Sequence, residues 1–249
     1  MAKILWYGDS PTVDTGFGIV SSNIIEQLRK YGHEIVVLGI NMYGDPYDPN
    51  KYPYKIYPCT PGSNENIYGL AKIWNIVEFE QPDILFFLND PWLIEDSLKR
   101  QPKKYPYMRM MAYYPTDAAP IKKQWIDMLG NMSAQICYSK FAERTVIESN
   151  GGVRPNNLYQ VYHGVDTGTF KPINQAVARD ALNLDAQSFI VGMVARNQFR
   201  KRFDILAKAF AEFSKDKPEA KLYLHTALHD VGFDILDLAN QLHIADKLI

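Results

Sequence analysis

Short apolar runs alternate along this chain with stretches whose apolar residues recur at helical spacing. Lys3 to Tyr7 (KILWY) stops at Gly8-Asp9-Ser10-Pro11, the pattern of a strand running into a loop. From Gly18 to Tyr31, Val20, Ile24 and Leu28 recur every four positions, as on one helix face, and Gly32 follows as a C-cap residue. Glu34 then introduces a second buried strand, IVVLGI. Residues 41–64, rich in Pro, Tyr, Asp and Asn, predict a long loop with at most a short strand at 54–57. Ile67, Leu70, Trp74 and Val77 mark a further helix, and ILFFL after Pro82-Asp83 a strand that ends at Asn89-Asp90-Pro91. A short helix through Ile94 and Leu98 follows. The pattern then predicts a strand over 107–113, a helix from near Pro120, a strand over 134–138, a helix over 141–148 and a strand over 158–162. Near-continuous apolar strands, each followed by a helix, predict an α/β fold with a parallel sheet covered on both faces.

The polar stretch from His163 to Ala176, with Gly164, Gly168 and Pro172, reads as a linker. A second alternation follows: a strand over 189–195, a helix through Phe203, Leu206, Ala207, Phe210 and Phe213, a strand over 221–225 and a helix over 233–242. The expected organisation is a first domain over 1–165, a linker over 166–185 and a partial second domain over 186–249.

Composition narrows the function classes. Hydrophobic residues make up 47% and charged residues 22%, which excludes general disorder. Lys plus Arg is 27 against 28 Asp plus Glu, so no global basic field for nucleic acid exists. No apolar run is long enough for a membrane span, and none near Met1 for a signal peptide, so a cytoplasmic location is expected. Cys59 and Cys137 alone rule out a disulfide framework or a cysteine-built zinc site. His225 and His229 are four apart but leave a strand end rather than share a helix, so no metal is expected there.

In open parallel sheets ligands bind beyond the carboxyl ends of the strands. That rule selects the loops Gly8–Gly18, Asn89–Trp92, Tyr114–Pro120, Tyr138–Lys140 and His163–Asp166, and Arg196–Arg202 in the second unit. Gly16 and Gly18 open a helix, where glycine lets backbone approach a ligand and free N–H groups attract anions; an ordinary tight turn explains them equally. They do not form the dinucleotide fingerprint, and the second strand ends in Leu38-Gly39-Ile40 without an acidic ribose ligand. Arg196, Arg200, Lys201 and Arg202 place four cations in seven residues at a helix start, against the macrodipole. An anionic ligand such as a phosphate would balance them; a solvated basic turn is the alternative. Asp117, at a strand end, is placed either to position a hydroxyl or transfer a proton, or to begin the helix near Pro120. Asp90 is a cleft candidate or a helix cap, and Trp92 a stacking platform or a core residue. Ser139 lacks a neighbouring His and nucleophile-elbow glycines, which argues against hydrolase chemistry; it and His163 remain cleft candidates.

Together these residues resemble a glycosyltransferase of the GT-B superfamily, closest to the retaining family-four group. The glycine loop with Tyr31-Gly32-His33-Glu34-Ile35-Val36-Val37 is similar to that group's helix-to-second-strand signature, and Tyr138-Ser139-Lys140 to its helix-opening segment. His163-Gly164-Val165-Asp166 through Phe170-Lys171-Pro172 resembles its interdomain linker. Val191-Gly192-Met193-Val194-Ala195-Arg196 with Lys201 and Asp204-Ile205-Leu206 resembles its donor-binding segment. The resemblance implies a complete N-terminal Rossmann-like domain on the acceptor side and a partial C-terminal one on the nucleotide-sugar side. It also implies transfer of a sugar from a nucleotide-sugar to an acceptor the sequence does not identify, with retention and without a metal or other cofactor. Arg196 and Lys201 would hold the donor diphosphate, and Gly16 and Gly18 would lie near donor or acceptor. The family often has a His in the loop that here reads Thr116-Asp117, so Asp117 is the candidate catalytic group in its place. The family's paired-glutamate motif is not in the chain, which reads as truncated within its second domain. Negligible transfer by these residues alone and self-association through an uncovered strand edge are therefore expected. A catalytically silent GT-B-like binding module is the alternative, and a GT-B-fold epimerase or phosphorylase relative a third reading.

Overall fold

Seven strands, β1 (Lys3–Asp9), β2 (Glu34–Ile40), β3 (Lys55–Pro58), β4 (Ile84–Leu88), β5 (Arg109–Tyr114), β6 (Ala134–Cys137) and β7 (Leu158–Gln160), form one parallel sheet. Its order is β3-β2-β1-β4-β5-β6-β7. The helices between them are α1 (Gly16–Lys30), α2 (Asn64–Ile67), α3 (Ile73–Glu80), α4 (Pro91–Lys99), α5 (Lys123–Gly130) and α6 (Lys140–Ser149). This computed structural model describes residues Met1 to Ile249, which divide into two units, Met1–Val165 and Asp166–Ile249.

The sheet of the first unit is buried on both faces, as its unbroken apolar strands require. Strand alternation sends Leu5 and Tyr7 of β1 to one core with Val36, Leu38, Leu85 and Phe87. Ile4 and Trp6 go to the other, with Ile35, Val37, Phe86 and Leu88. Trp6 stacks on Phe86 at a centroid distance of 4.6 Å and donates Nε1–H to Ser21 Oγ of α1 at 3.0 Å, fixing that helix on this face. On the other face Tyr7 donates its hydroxyl to the Tyr68 carbonyl at 2.7 Å, and Trp74 donates Nε1–H to the Ser97 carbonyl at 2.8 Å. Glycine is required where β1 passes β4: a Cβ on Gly8 would lie 2.8 Å from the Leu88 carbonyl oxygen.

Two local expectations change. The apolar positions do not share one helix: Ile67 ends α2, Trp74 and Val77 lie in α3, and Leu70 sits in the turn between them. Gly69, at φ +72°, separates them, and a Cβ there would meet Cys59 Sγ and the Leu38 methyls at 3.1 Å. The helix expected from near Pro120 begins at Lys123.

The second unit has α7 (Gln175–Ala181), β8 (Phe189–Val194), α8 (Phe203–Phe213), β9 (Ala220–His225) and α9 (Ile235–Gln241). Strands β8 and β9 pair in parallel, and Ile249 donates its N–H to the Leu222 carbonyl beside β9. Helices α8 and α9 cover a core of Ala207, Phe210, Ala220, Leu222, Ala239 and Ile244. The segment read as a linker carries α7, whose N-cap Asn174 accepts from the Ala176 N–H at 2.9 Å. No helix is long and apolar enough to cross a membrane.

Candidate functional site

The strand order of the first unit reverses between β1 and β4, which makes the crevice beyond their carboxyl ends the topological switch point. Asp9 ends β1, and its half-buried carboxyl takes a hydrogen bond from Thr15 Oγ1. Burial pushes its pKa up, while side-chain hydrogen bonds from Thr15 and Asn41 pull the other way. Thr15 is also the N-cap of α1, with Oγ1 accepting from the Gly18 N–H at 2.9 Å.

The two glycines of this loop differ. A Cβ on Gly18 would lie 2.2 Å from the Val13 carbonyl oxygen and 2.9 Å from that of Ser10, so the loop folds over it and excludes any side chain. Around Gly16 nothing lies within 4 Å of a Cβ position. Of the pair, Gly16 faces open space where a ligand can approach.

Beyond β4, Asn89 is buried and donates Nδ2–H to the Tyr7 carbonyl at 2.8 Å, tying the β4 end to β1. Asp90 stands at the N-cap position of α4, but its side chain makes no capping bond. Burial, then the nearby Asp117 carboxylate, raise its pKa; the Trp92 side chain opposes them and Asp9 adds to them. The Asp9 and Asp117 carboxylates thus both act on Asp90 at the carboxyl ends of β1, β4 and β5. Asp117 is exposed and lies six residues before α5, so it does not begin that helix. Trp92 is 38% exposed and meets the Tyr68 ring edge-on at 5.2 Å, so it is neither a core residue nor a free platform.

Beyond β5, β6 and β7 the structure assembles an aromatic group of which the sequence had marked only His163 as a candidate. The ring of His163 lies 4.1 Å from that of Tyr138 and 5.1 Å from that of Tyr113, and Phe17 meets Tyr138 edge-on at 6.4 Å. The Tyr113 hydroxyl donates to the Val161 carbonyl at 2.9 Å and lies 3.1 Å from His163 Nδ1. A hydroxyl has one proton, so Nδ1 must carry the imidazole hydrogen and donate to Tyr113, leaving Nε2 as an unprotonated acceptor. Partial burial lowers the His163 pKa, which favours this neutral form. Tyr138 is pushed far above its ordinary range by burial, with Tyr113, Asp90 and Asp117 adding to the effect. Ser139 is the N-cap of α6, its Oγ accepting from the Ala142 N–H at 3.2 Å.

In the second unit the run after β8 is a 3-10 turn, Phe199–Lys201, followed by α8. The four cations are not equally available. Arg196 holds Asp230 and Arg202 holds Asp204 through two hydrogen bonds each, and Arg200 bonds Gln198 Oε1 at 3.1 Å. The Lys201 side chain alone of the four has no hydrogen-bond or ion-pair partner, its backbone N–H going to the Gln198 carbonyl at 2.9 Å. The excess charge that seemed to demand an external anion is therefore half balanced within the chain. Arg202, at φ +56°, precedes α8 without a side-chain cap, and its carbonyl accepts from the Ile205 and Leu206 N–H groups at 3.1 and 3.3 Å. Beneath the turn Asn197 is fully buried. It donates Nδ2–H to the carbonyls of Phe233 (2.6 Å), Ala227 (3.1 Å) and Leu228 (3.4 Å), and accepts from the Phe233 N–H at 2.9 Å. Its partners lie 30 or more positions downstream, and no local pattern marked it.

No family model matches the chain. A D-inositol 3-phosphate glycosyltransferase of Segniliparus rotundus is 35% identical over 97 residues, covering 38% of this chain and 22% of that protein. One from Mycobacterium sp. (strain JLS) is 33% identical over 98 residues, covering 38% and 21%. The match thus spans about a fifth of the length of these curated relatives. Among solved structures, Anabaena HepE in complex with UDP and glucose superposes with a TM-score of 0.64 at 16% identity, over 100% of this chain and 68% of that one. TarM superposes at 0.68 and 11% identity, over 100% and 76%, and Staphylococcus aureus MnaA with UDP at 0.60 and 13%, over 100% and 68%. At these identities the structural likeness shows the fold.

Proposed function

We propose, from the GT-B-like sequence resemblance, the shared fold and the partial likeness to D-inositol 3-phosphate glycosyltransferases, that this chain serves a glycosyltransferase that moves a sugar from a nucleoside-diphosphate sugar to a hydroxyl acceptor. The observation that carries this reading is the unpaired Lys201 beside the uncapped start of α8, at the carboxyl end of β8. Lys201 and the Arg196 fork neutralise the two phosphates of the donor there, and the charge they meet grows as the sugar–phosphate bond breaks. UDP accompanies several proteins of this fold, which favours a uridine donor.

The acceptor falls to the first unit. Asp9, Asp90 and Asp117 offer hydrogen-bond acceptors to hydroxyl groups, His163 Nε2 offers another, and the open space at Gly16 admits a ring. In the transfer, the C1–O bond to the diphosphate breaks and the acceptor oxygen bonds to C1. The hydroxyl proton passes to the departing phosphate oxygen. Attack from the same face gives retention without a covalent enzyme intermediate, in line with the retaining resemblance.

A second reading is epimerisation of a UDP-sugar, favoured by the likeness to two UDP-N-acetylglucosamine 2-epimerase structures at TM-scores of 0.56 and 0.60. Incubation with UDP-sugars and a panel of polyol and saccharide acceptors, followed by proton NMR, separates them. Acceptor-dependent UDP release with a product keeping the donor's anomeric configuration is expected. Inversion at C2 of a UDP-sugar without an acceptor would replace transfer with epimerisation.

A further inference from the structure

The Arg196 fork is occupied by this chain itself. Arg196 donates Nε–H to Asp230 Oδ2 at 2.7 Å and Nη2–H to Oδ1 at 3.1 Å, the two-bonded geometry a guanidinium also offers a phosphate. The Arg196 side chain is 63% exposed, whereas that of Asp230 is 18% exposed. The guanidinium is thus the more accessible of the two groups.

The loop that carries Asp230 is held by bonds that do not involve the ion pair. It is tied to Asn197 through the carbonyls of Ala227, Leu228 and Phe233 and the N–H of Phe233. Gly232 packs so closely on Asn197 that a Cβ would lie 2.2 Å from Oδ1, which pins the loop on the other side of Asp230 as well. Asp230 therefore stays near Arg196 when the guanidinium turns to another anion.

We propose that Asp230 is a positioning residue of the donor side: it keeps the Arg196 fork oriented until a diphosphate arrives, and it competes with that diphosphate for the fork. The inference rests on the reading of Arg196 and Lys201 as the donor diphosphate site. Binding exchanges one anion for another on Arg196 and leaves a carboxylate beside the incoming phosphates, so the pair lowers affinity. A merely structural Asp230 would act in the opposite direction.

The test is isothermal titration of the 249-residue chain and its Asp230→Asn, Arg196→Ala and doubly substituted variants with UDP and with pyrophosphate, at low and high salt. Asp230→Asn is expected to bind both probes about three- to tenfold more tightly, with the gain shrinking at high salt. The gain should be smaller in the Arg196→Ala background. Unchanged or weaker binding by Asp230→Asn, with UDP still bound by the unaltered chain, overturns the competition and leaves the donor site standing. Binding of neither probe by any of the four proteins overturns the donor site and the inference together. The unaltered chain gives a second measure, free of any effect of the substitution on the loop. Carbon-13 NMR of the Asp230 carboxyl should show its pKa, now depressed by the Arg196 bonds, rising on saturation with pyrophosphate. No change on saturation overturns the competition.

Discussion

Glu80, at the end of α3, is the most demanding test of the packing that supports the first unit. Its side chain is only 8% exposed, and it accepts from Lys3 Nζ of β1 at 2.7 Å, from Lys55 Nζ of β3 at 3.0 Å, and from the Tyr57 hydroxyl. Burial alone would raise its pKa, but the hydrogen bonds from Lys3, Tyr57 and Lys55 outweigh it and hold the carboxyl at about 2, against an ordinary 4.5. A carboxyl depressed in the folded state stabilises the fold above its unfolded pKa. That contribution fades as pH falls from about 4.5 through about 2. At about 1.4 kcal/mol per pH unit the gap corresponds to about 3 kcal/mol at neutral pH. Glu80→Gln should cost about 2–3 kcal/mol at pH 7, or a fall of roughly 5–10 °C in Tm for a unit of this size. The difference from the parent should narrow through the acid range and nearly vanish by pH 2. Urea unfolding at pH 7, 4 and 3 measures both the loss and its pH dependence. A variant within about 0.5 kcal/mol of the parent at pH 7, or a loss independent of pH, would refute the reasoning.

The glycine loop and the loop of Asn197 give further tests. Gly18→Ala should destabilise the first unit by about 1–3 kcal/mol in chemical unfolding, because its Cβ meets the Val13 and Ser10 carbonyls. Gly16→Ala should leave stability unchanged or raise it by up to about 1 kcal/mol, and equal losses in both would contradict the packing described. Asn197→Ala should cost about 3 kcal/mol and speed hydrogen exchange over 226–234 before the first unit is affected, since it strands buried carbonyls; intact protection there would refute the role. Asp117→Asn should lower the pKa of Asp90, read by carbon-13 NMR, because the Asp117 charge raises it; an unmoved Asp90 would separate the two carboxyls.

Much of the fold was legible because the strands are buried on both faces. Runs such as ILFFL and IVVLGI have no second interpretation between polar breaks, and β4 and β2 fall on them. Helix α7 was not legible, since it buries no residue and so shows no apolar stripe; its start is marked only by the Asn174 cap. The break at Gly69 escaped because an apolar spacing of three and four continues across it, and only the approach of Leu38 and Cys59 demands the turn. At the candidate site, the strand-end rule found the loops but not their pairings. Asp9, Asp90 and Asp117 lie far apart in sequence, and strand order alone brings them together. The pairing of Tyr113 with His163 and of Arg196 with Asp230 likewise depends on neighbours 50 and 34 positions away.

The central claim is that the turn after β8 holds a nucleoside diphosphate, and isothermal titration of Lys201→Ala with UDP tests it most directly. The Lys201 side chain has no partner within the chain, so its removal breaks no internal bond and should leave the Tm unchanged. A charged contact to phosphate is worth about 1.5 kcal/mol or more, so UDP should bind roughly tenfold more weakly than to the unaltered chain. UDP binding of equal strength in both proteins would contradict the assignment.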